Sequence, residues 1–123
     1  MKQLFLVFLG GGIGSCFRFL LGKYFNPFFT NFYLGTFLVN ILGCLLIGII
    51  LGLTYKQDLL SQNQALILAT GFCGGFTTFS AFAFESQNLI KNGEIAFAAL
   101  YIGSSVLIGV LAVLLGLWLI RSF

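Results

Sequence analysis

Apolar residues run almost unbroken through four stretches, Leu4 to Leu21, Leu34 to Leu53, Ala65 to Phe84 and Ile95 to Ile120, with polar and aromatic residues gathered between them. Each approaches the roughly 20 apolar residues that a bilayer-spanning α-helix needs. The pattern predicts an all-α membrane protein, a single domain over residues 1–123 with four transmembrane helices at 4–22, 33–54, 65–90 and 95–120. The first stretch follows Lys2 as a signal peptide would. It is long and glycine-rich, however, and lacks a small-x-small cleavage site before the next loop, so it is read as helix one. The third stretch departs from a plain lipid anchor. The run Gly71-Phe72-Cys73-Gly74-Gly75-Phe76-Thr77-Thr78-Phe79-Ser80-Ala81-Phe82 puts three glycines within five residues, followed by paired hydroxyls. Glycine weakens a helix interior, and Thr77 or Thr78 can cap a new helix start, so helix three is predicted to break near mid-membrane. Irregular backbone at that depth must face protein or a wet cavity, which makes the break the candidate functional site.

Composition narrows the class. Only 7% of the 123 residues are charged and the mean hydropathy is +1.08, too apolar for a soluble domain. The connections carry interface chemistry: Tyr24, Phe25, Phe28, Phe29, Phe32 and Tyr33 crowd around Pro27 as an aromatic belt would, Lys56 and Asp58 mark the second loop, and Lys91 and Glu94 the third. The formal charge is +3, but the basic residues are scattered singly, so no stripe tracks a nucleic-acid backbone. Cys16, Cys44 and Cys73 sit singly in different spans and read as small buried hydrophobes. Without histidine and with three acids, no nucleophile, base and orienting group can be assembled, so an enzyme is not expected.

An even number of spans puts Lys2, Lys56 and Arg121 on one side and Lys23 and Lys91 on the other, with Arg18 nearer the latter. Since excess Lys and Arg sets orientation, this balance predicts insertion both ways and an antiparallel, dual-topology homodimer. Gly10, Gly14 and Gly22, then Gly48 and Gly52, then Ser105, Gly109, Ala112 and Gly116 form small-residue faces for close helix packing.

Several polar groups lie inside spans. Arg18 shares a face with Gly14 and Gly22 and either snorkels to the interface or stands in an anion-attracting vestibule. Thr36, Asn40 and Gly43 share a face of helix two, and the Asn40 amide either bonds a neighbouring helix or donates to a permeating ion. Phe79 and Phe82, three residues apart after the break, could turn positive ring edges toward an anion, with Ser80 nearby. Glu85 near the end of its span reads first as a loop-facing acid, and Tyr101 and Ser105 in helix four add donors to a possible lining.

Taken together, Gly11-Gly12-Ile13-Gly14 with Arg18-Phe19, Gly35-Thr36 with Asn40 through Gly43, and Gly71 to Phe82 with Glu85 closely resemble the Fluc fluoride channels, also called CrcB proteins, over nearly the whole chain. The resemblance implies a bacterial plasma-membrane homodimer, antiparallel with two pores, that passively exports fluoride and confers fluoride resistance. It implies a structural sodium ion at the dimer centre, held by main-chain carbonyls that map to Gly74 and Thr77. The family's paired pore phenylalanines map to Phe79 and Phe82 and its pore asparagine to Asn40; Thr36, Ser80, Tyr101, Ser105 and Glu85 match its polar lining. Ala81 stands where the family commonly has a hydroxyl, Gly109 where some members have serine, and Phe76 replaces a more usual aliphatic residue.

Such a pore must return the hydration that fluoride loses through neutral donors, without a fixed charge that would trap the ion. The alternative from another class is a proton-coupled antiporter of the small multidrug type, also four short helices of dual topology. It requires a titratable acid at mid-membrane, whereas Glu85 lies near the end of its span.

Overall fold

The computed structural model describes residues 1–56 and 59–123; Asp58, expected to mark the second loop, lies outside the described residues. Helix α1 spans Lys2–Phe25 and ends in a 3₁₀ turn, Asn26–Phe28, where Pro27 occupies an early position that needs no backbone donor. Helix α2 spans Leu34–Tyr55. Helix α3 (residues 62–76) begins at a capping box, with Ser61 Oγ accepting from the Gln64 N–H and Gln64 returning the bond to the Ser61 N–H. Helix α4 spans Phe79–Lys91 and α5 spans Ile95–Ser122. Gly93, with φ of 79°, makes the α4–α5 turn in a conformation that side chains other than glycine resist.

Four segments are long and apolar enough to cross a membrane, Lys2–Phe28, Leu34–Tyr55, Gln62–Lys91 and Ile95–Ser122. The third is α3 and α4 in series, interrupted at Thr77 and Thr78, where the backbone is extended. This is the expected broken helix. The four spans make a multi-pass, all-α membrane bundle.

The packing joins spans that run in the same direction. Gly10 and Gly14 of α1 lie directly on the α3 backbone at Ile67, Gly71 and Phe72. At the other seam Gly48 of α2 meets Val113 and Gly116 of α5, and Gly52 meets Ile120. Without a side chain at these points, backbones approach closely enough for dispersion and weak contacts to replace the missing hydrophobic driving force. Lys56 fastens the end of this second pair, its Nζ donating to the Ile120 carbonyl at 2.8 Å. Gly109, Ala112 and Gly116 are buried on the same α5 face.

Two expectations are corrected. Cys73 is buried, but Cys44 is only partly so and Cys16 is exposed on the outer face of α1. The aromatic first loop is not all interfacial belt. Phe32 and Tyr33 fold inward onto Tyr101, at ring-centroid distances of 5.2 and 5.8 Å, while Tyr24, Phe28 and Phe29 stay exposed.

Candidate functional site

The break in the third span leaves backbone groups without helical partners, and each neighbouring element supplies some replacements. Thr78 is the N-cap of α4, its Oγ1 accepting from the Ala81 N–H at 3.2 Å. Asn40 of α2 clips the same residue from the side. Its Oδ1 accepts the Thr78 N–H at 2.8 Å and its Nδ2 donates to the Thr78 carbonyl at 3.1 Å. Thr77 closes the end of α3, both its N–H and its Oγ1 donating to the Cys73 carbonyl at 3.0 and 2.8 Å. From α1, Arg18 Nε donates to the Gly75 carbonyl at 2.9 Å and Ser15 Oγ reaches it at 3.4 Å. Among the described residues no donor reaches the Gly74 or Thr77 carbonyl. Gly74 is exposed, and a Cβ placed on it would meet nothing within 4 Å. Two free carbonyl oxygens beside open space suit a hard cation, which takes oxygen ligands. Among the described residues no cluster of three His, Cys, Asp or Glu offers a competing side-chain site.

A second polar unit lies about two helical turns along α4 from the break. Glu85 is 9% exposed, and both its oxygens are engaged. Oε1 accepts from Thr36 Oγ1 at 2.7 Å and Oε2 from Tyr101 OH at 2.6 Å. Tyr101 is wholly buried, and Thr36 is tied in turn to Asn26, whose Oδ1 accepts the Thr36 N–H at 3.0 Å. A buried carboxylate held by two hydroxyls is a satisfied structural acceptor, joining α2, α4 and α5. The loop-facing reading of Glu85 is therefore corrected. The Thr36 and Tyr101 hydroxyl protons, expected to face an ion, point at Glu85.

Between α2, the break and α5 runs a groove of about 420 Å³. Asn40, Thr70, Thr77, Thr78, Phe79, Phe82 and Ser105 line it together with apolar and thiol side chains, and no charged residue takes part. Ser105 Oγ is buried and, among the described residues, has no hydrogen-bond partner. Phe79 is 79% exposed, and its ring lies 5.9 Å from that of Phe82, which in turn rests 5.3 Å from Tyr101. Ser80 is exposed beside this groove, its Oγ 3.4 Å from Thr78 Oγ1. A second, smaller pocket of about 230 Å³ is lined by Arg18, Lys23, Asn26, Thr36, Ala81 and Glu85, among others. Thr78 lines both cavities.

Residues 5–117 match the family model described as CrcB-like protein, Camphor Resistance (CrcB). The chain belongs to the CrcB family. It is 48% identical to a protein of Phocaeicola vulgatus named fluoride-specific ion channel FluC, over 97% of this chain and 98% of that one. Proteins of the same name from Azobacteroides pseudotrichonymphae and Flavobacterium psychrophilum are 44% and 45% identical. The first match covers 100% of this chain and 99% of the relative, the second 95% of each.

Within this CrcB chain the structure brings Asn40, Phe79, Phe82 and Ser105 to one groove and gathers Thr36, Tyr101 and Glu85 into one hydrogen-bonded unit. Arg18 lines the other pocket while bonding the break. Sequence reasoning missed Ser15 and Asn26. Asn26 precedes Pro27, a turn-initiating pair, and Ser15 stands one turn before Arg18, with Arg18 Nη2 3.5 Å from its hydroxyl. It also missed that Leu66–Cys73 winds as a π-helix leading into the break. Widened turns of this kind often accompany functional sites but carry no sequence period of their own.

Proposed function

We propose that this chain is a fluoride-selective channel that lets fluoride leave the cytoplasm passively across the bacterial plasma membrane and so confers fluoride resistance; its FluC relatives are named fluoride-specific ion channels. One observation carries the reading. The groove at the helix break presents neutral donors and aromatic edges with no charged residue in its lining, and one of its hydroxyls, Ser105, is buried with no partner among the described residues. An ion stripped of water gains hydrogen bonds and ring-edge attraction there without a fixed positive charge to trap it. Asn40 bonds Thr78 through one amide hydrogen and keeps the other, and Ser80 adds a hydroxyl at the mouth. Thr36, Tyr101 and Glu85 act through the shape of this lining, and Arg18 raises anion concentration in its vestibule. No energy source is needed, since a negative-inside potential favours anion exit by about 2.3 kcal/mol per 100 mV.

The functional unit is an antiparallel homodimer. Phe79 at 79% exposure and the open space at Gly74 leave the groove unfinished in one chain, and the near balance of basic residues favours both orientations. At the dimer centre the Gly74 and Thr77 carbonyls of each chain would hold a structural sodium ion, whose charge fixes the two breaks against one another.

A buried acid is what a proton-coupled antiporter requires, and Glu85 is the observation that favours that alternative. Its two short hydroxyl bonds tie both oxygens into the unit that joins three helices, and it takes no part in the lining of the groove at the break. The deciding experiment loads proteoliposomes with potassium fluoride or potassium chloride, adds valinomycin and follows efflux electrically. Rapid fluoride loss with chloride retained and no proton dependence is expected. Fluoride retention, or flux that requires a proton gradient, overturns the channel.

A further inference from the structure

The Gly75 carbonyl differs from its neighbours at the break. It receives Arg18 Nε at 2.9 Å and Ser15 Oγ at 3.4 Å, both from one turn of α1, whereas among the described residues the Gly74 and Thr77 carbonyls receive no donor. The approach is tight on that side: a Cβ built on Gly75 would come within 2.9 Å of the Gly11 backbone. Arg18 Nη2 also lies 3.5 Å from Ser15 Oγ, so the two side chains brace each other on one acceptor. Arginine suits this task because its Nε–H lies in a rigid plane and its charge strengthens the bond, while the same positive charge bars it from serving as part of a cation site. Asn40 takes Thr78 from the opposite side, from α2. The break is thus gripped at two residues by two different helices, while the Gly74 and Thr77 carbonyls, one residue before and two after Gly75, receive no donor among the described residues.

From this we infer that Arg18 and Ser15 form a clamp that sets which carbonyls of the broken helix stay free for a monovalent cation. Arg18 is then a positioning residue for the Gly74 and Thr77 oxygens, beyond its place in the vestibule. The inference rests on the proposed cation reading. It separates two roles that charge alone confounds. A vestibule charge is preserved by lysine, whereas a planar N–H aimed at one carbonyl is not.

The test uses the purified full chain stripped of sodium by exchange into choline, then titrated with sodium chloride at constant potassium and ionic strength. Two readouts are followed, fluoride efflux from proteoliposomes and the thermal unfolding midpoint in detergent. The native chain should show saturable sodium dependence in both. Arg18→Lys should raise the half-saturating sodium concentration about tenfold or more in both readouts, with flux recovering at high sodium. Ser15→Ala should shift it the same way by less. Native sodium dependence with an unaltered half-saturation in Arg18→Lys overturns the clamp and leaves Arg18 a vestibule charge. If Arg18→Lys does not yield folded protein, Ser15→Ala decides, and an unmoved half-saturation there overturns the clamp equally. A native chain indifferent to sodium in both readouts removes the cation reading itself, and the clamp with it.

Discussion

Asn40 permits a test in which conduction should separate two variants that are both destabilised. Its amide makes two bonds to Thr78, accepting the N–H at 2.8 Å and donating to the carbonyl at 3.1 Å. Asn40→Asp keeps the first bond and sets a second carboxylate oxygen against the Thr78 carbonyl, while Asn40→Ala leaves both Thr78 groups unpaired. Each unpaired group costs about 1–3 kcal/mol when buried, and for aspartate the carboxylate–carbonyl repulsion and the unpartnered charge add to its one lost bond, so both variants should be clearly less stable than the native chain. The carboxylate, however, adds a unit negative charge to a lining that has none. At roughly 5 Å and an effective dielectric of about 20, it repels a passing anion by about 3 kcal/mol, which lowers flux on the order of a hundredfold. Both variants should therefore fall below the native chain in stability, and fluoride flux should rank native, Asn40→Ala, Asn40→Asp. Thermal unfolding in detergent gives the stabilities, and valinomycin-triggered fluoride efflux, corrected for reconstituted protein, gives the flux order. If Asn40→Asp conducts like the native chain, or no worse than Asn40→Ala, Asn40 does not face the ion.

Three further substitutions separate lining from scaffold. Ser105→Ala removes a buried hydroxyl that has no partner among the described residues, so thermal stability should hold or rise by a few tenths of a kcal/mol while fluoride flux falls; unchanged flux would take Ser105 out of the path. Phe79→Ile keeps bulk but loses the ring, and because Phe79 is so exposed in the single chain its effect should appear mainly in flux, with full retention of flux removing ring edges from the mechanism. Tyr101→Phe withdraws the donor from Glu85 Oε2 and should lower stability by about 1–3 kcal/mol, measured by thermal unfolding, with Glu85→Gln less harmful because an amide can still accept from Thr36; equal stability of Tyr101→Phe and the native chain would deny the buried unit its structural role.

The spans, their number and the place of the break follow from local chemistry. Glycine, a paired threonine and an aromatic after them say the same thing to the chain wherever they occur, and Thr78 caps α4 as its type and position imply. What local pattern does not contain is the register between spans. Asn40 points at a helix face that includes Thr36, but whether that face meets an ion, lipid or Thr78 depends on how α2 slides along the third span. Likewise Glu85, Thr36 and Tyr101 lie on three helices and become one unit only once the bundle is packed. Cys16 shows the converse: a small apolar residue in a span carries no mark of which way it faces. The π-helical stretch escapes for a different reason, since its wider turns arise from backbone partners and not from the spacing of side chains.

The carbonyls set free at Gly74 and Thr77 belong to the main chain, which every amino acid shares. No substitution deletes such an oxygen; it can only be turned elsewhere. A mutational scan of this protein will therefore register that part of the molecule at second hand, through the residues that hold the backbone in place. Sensitive positions should gather at Asn40, Arg18 and Thr78, and a map drawn from them would outline the frame around an empty centre.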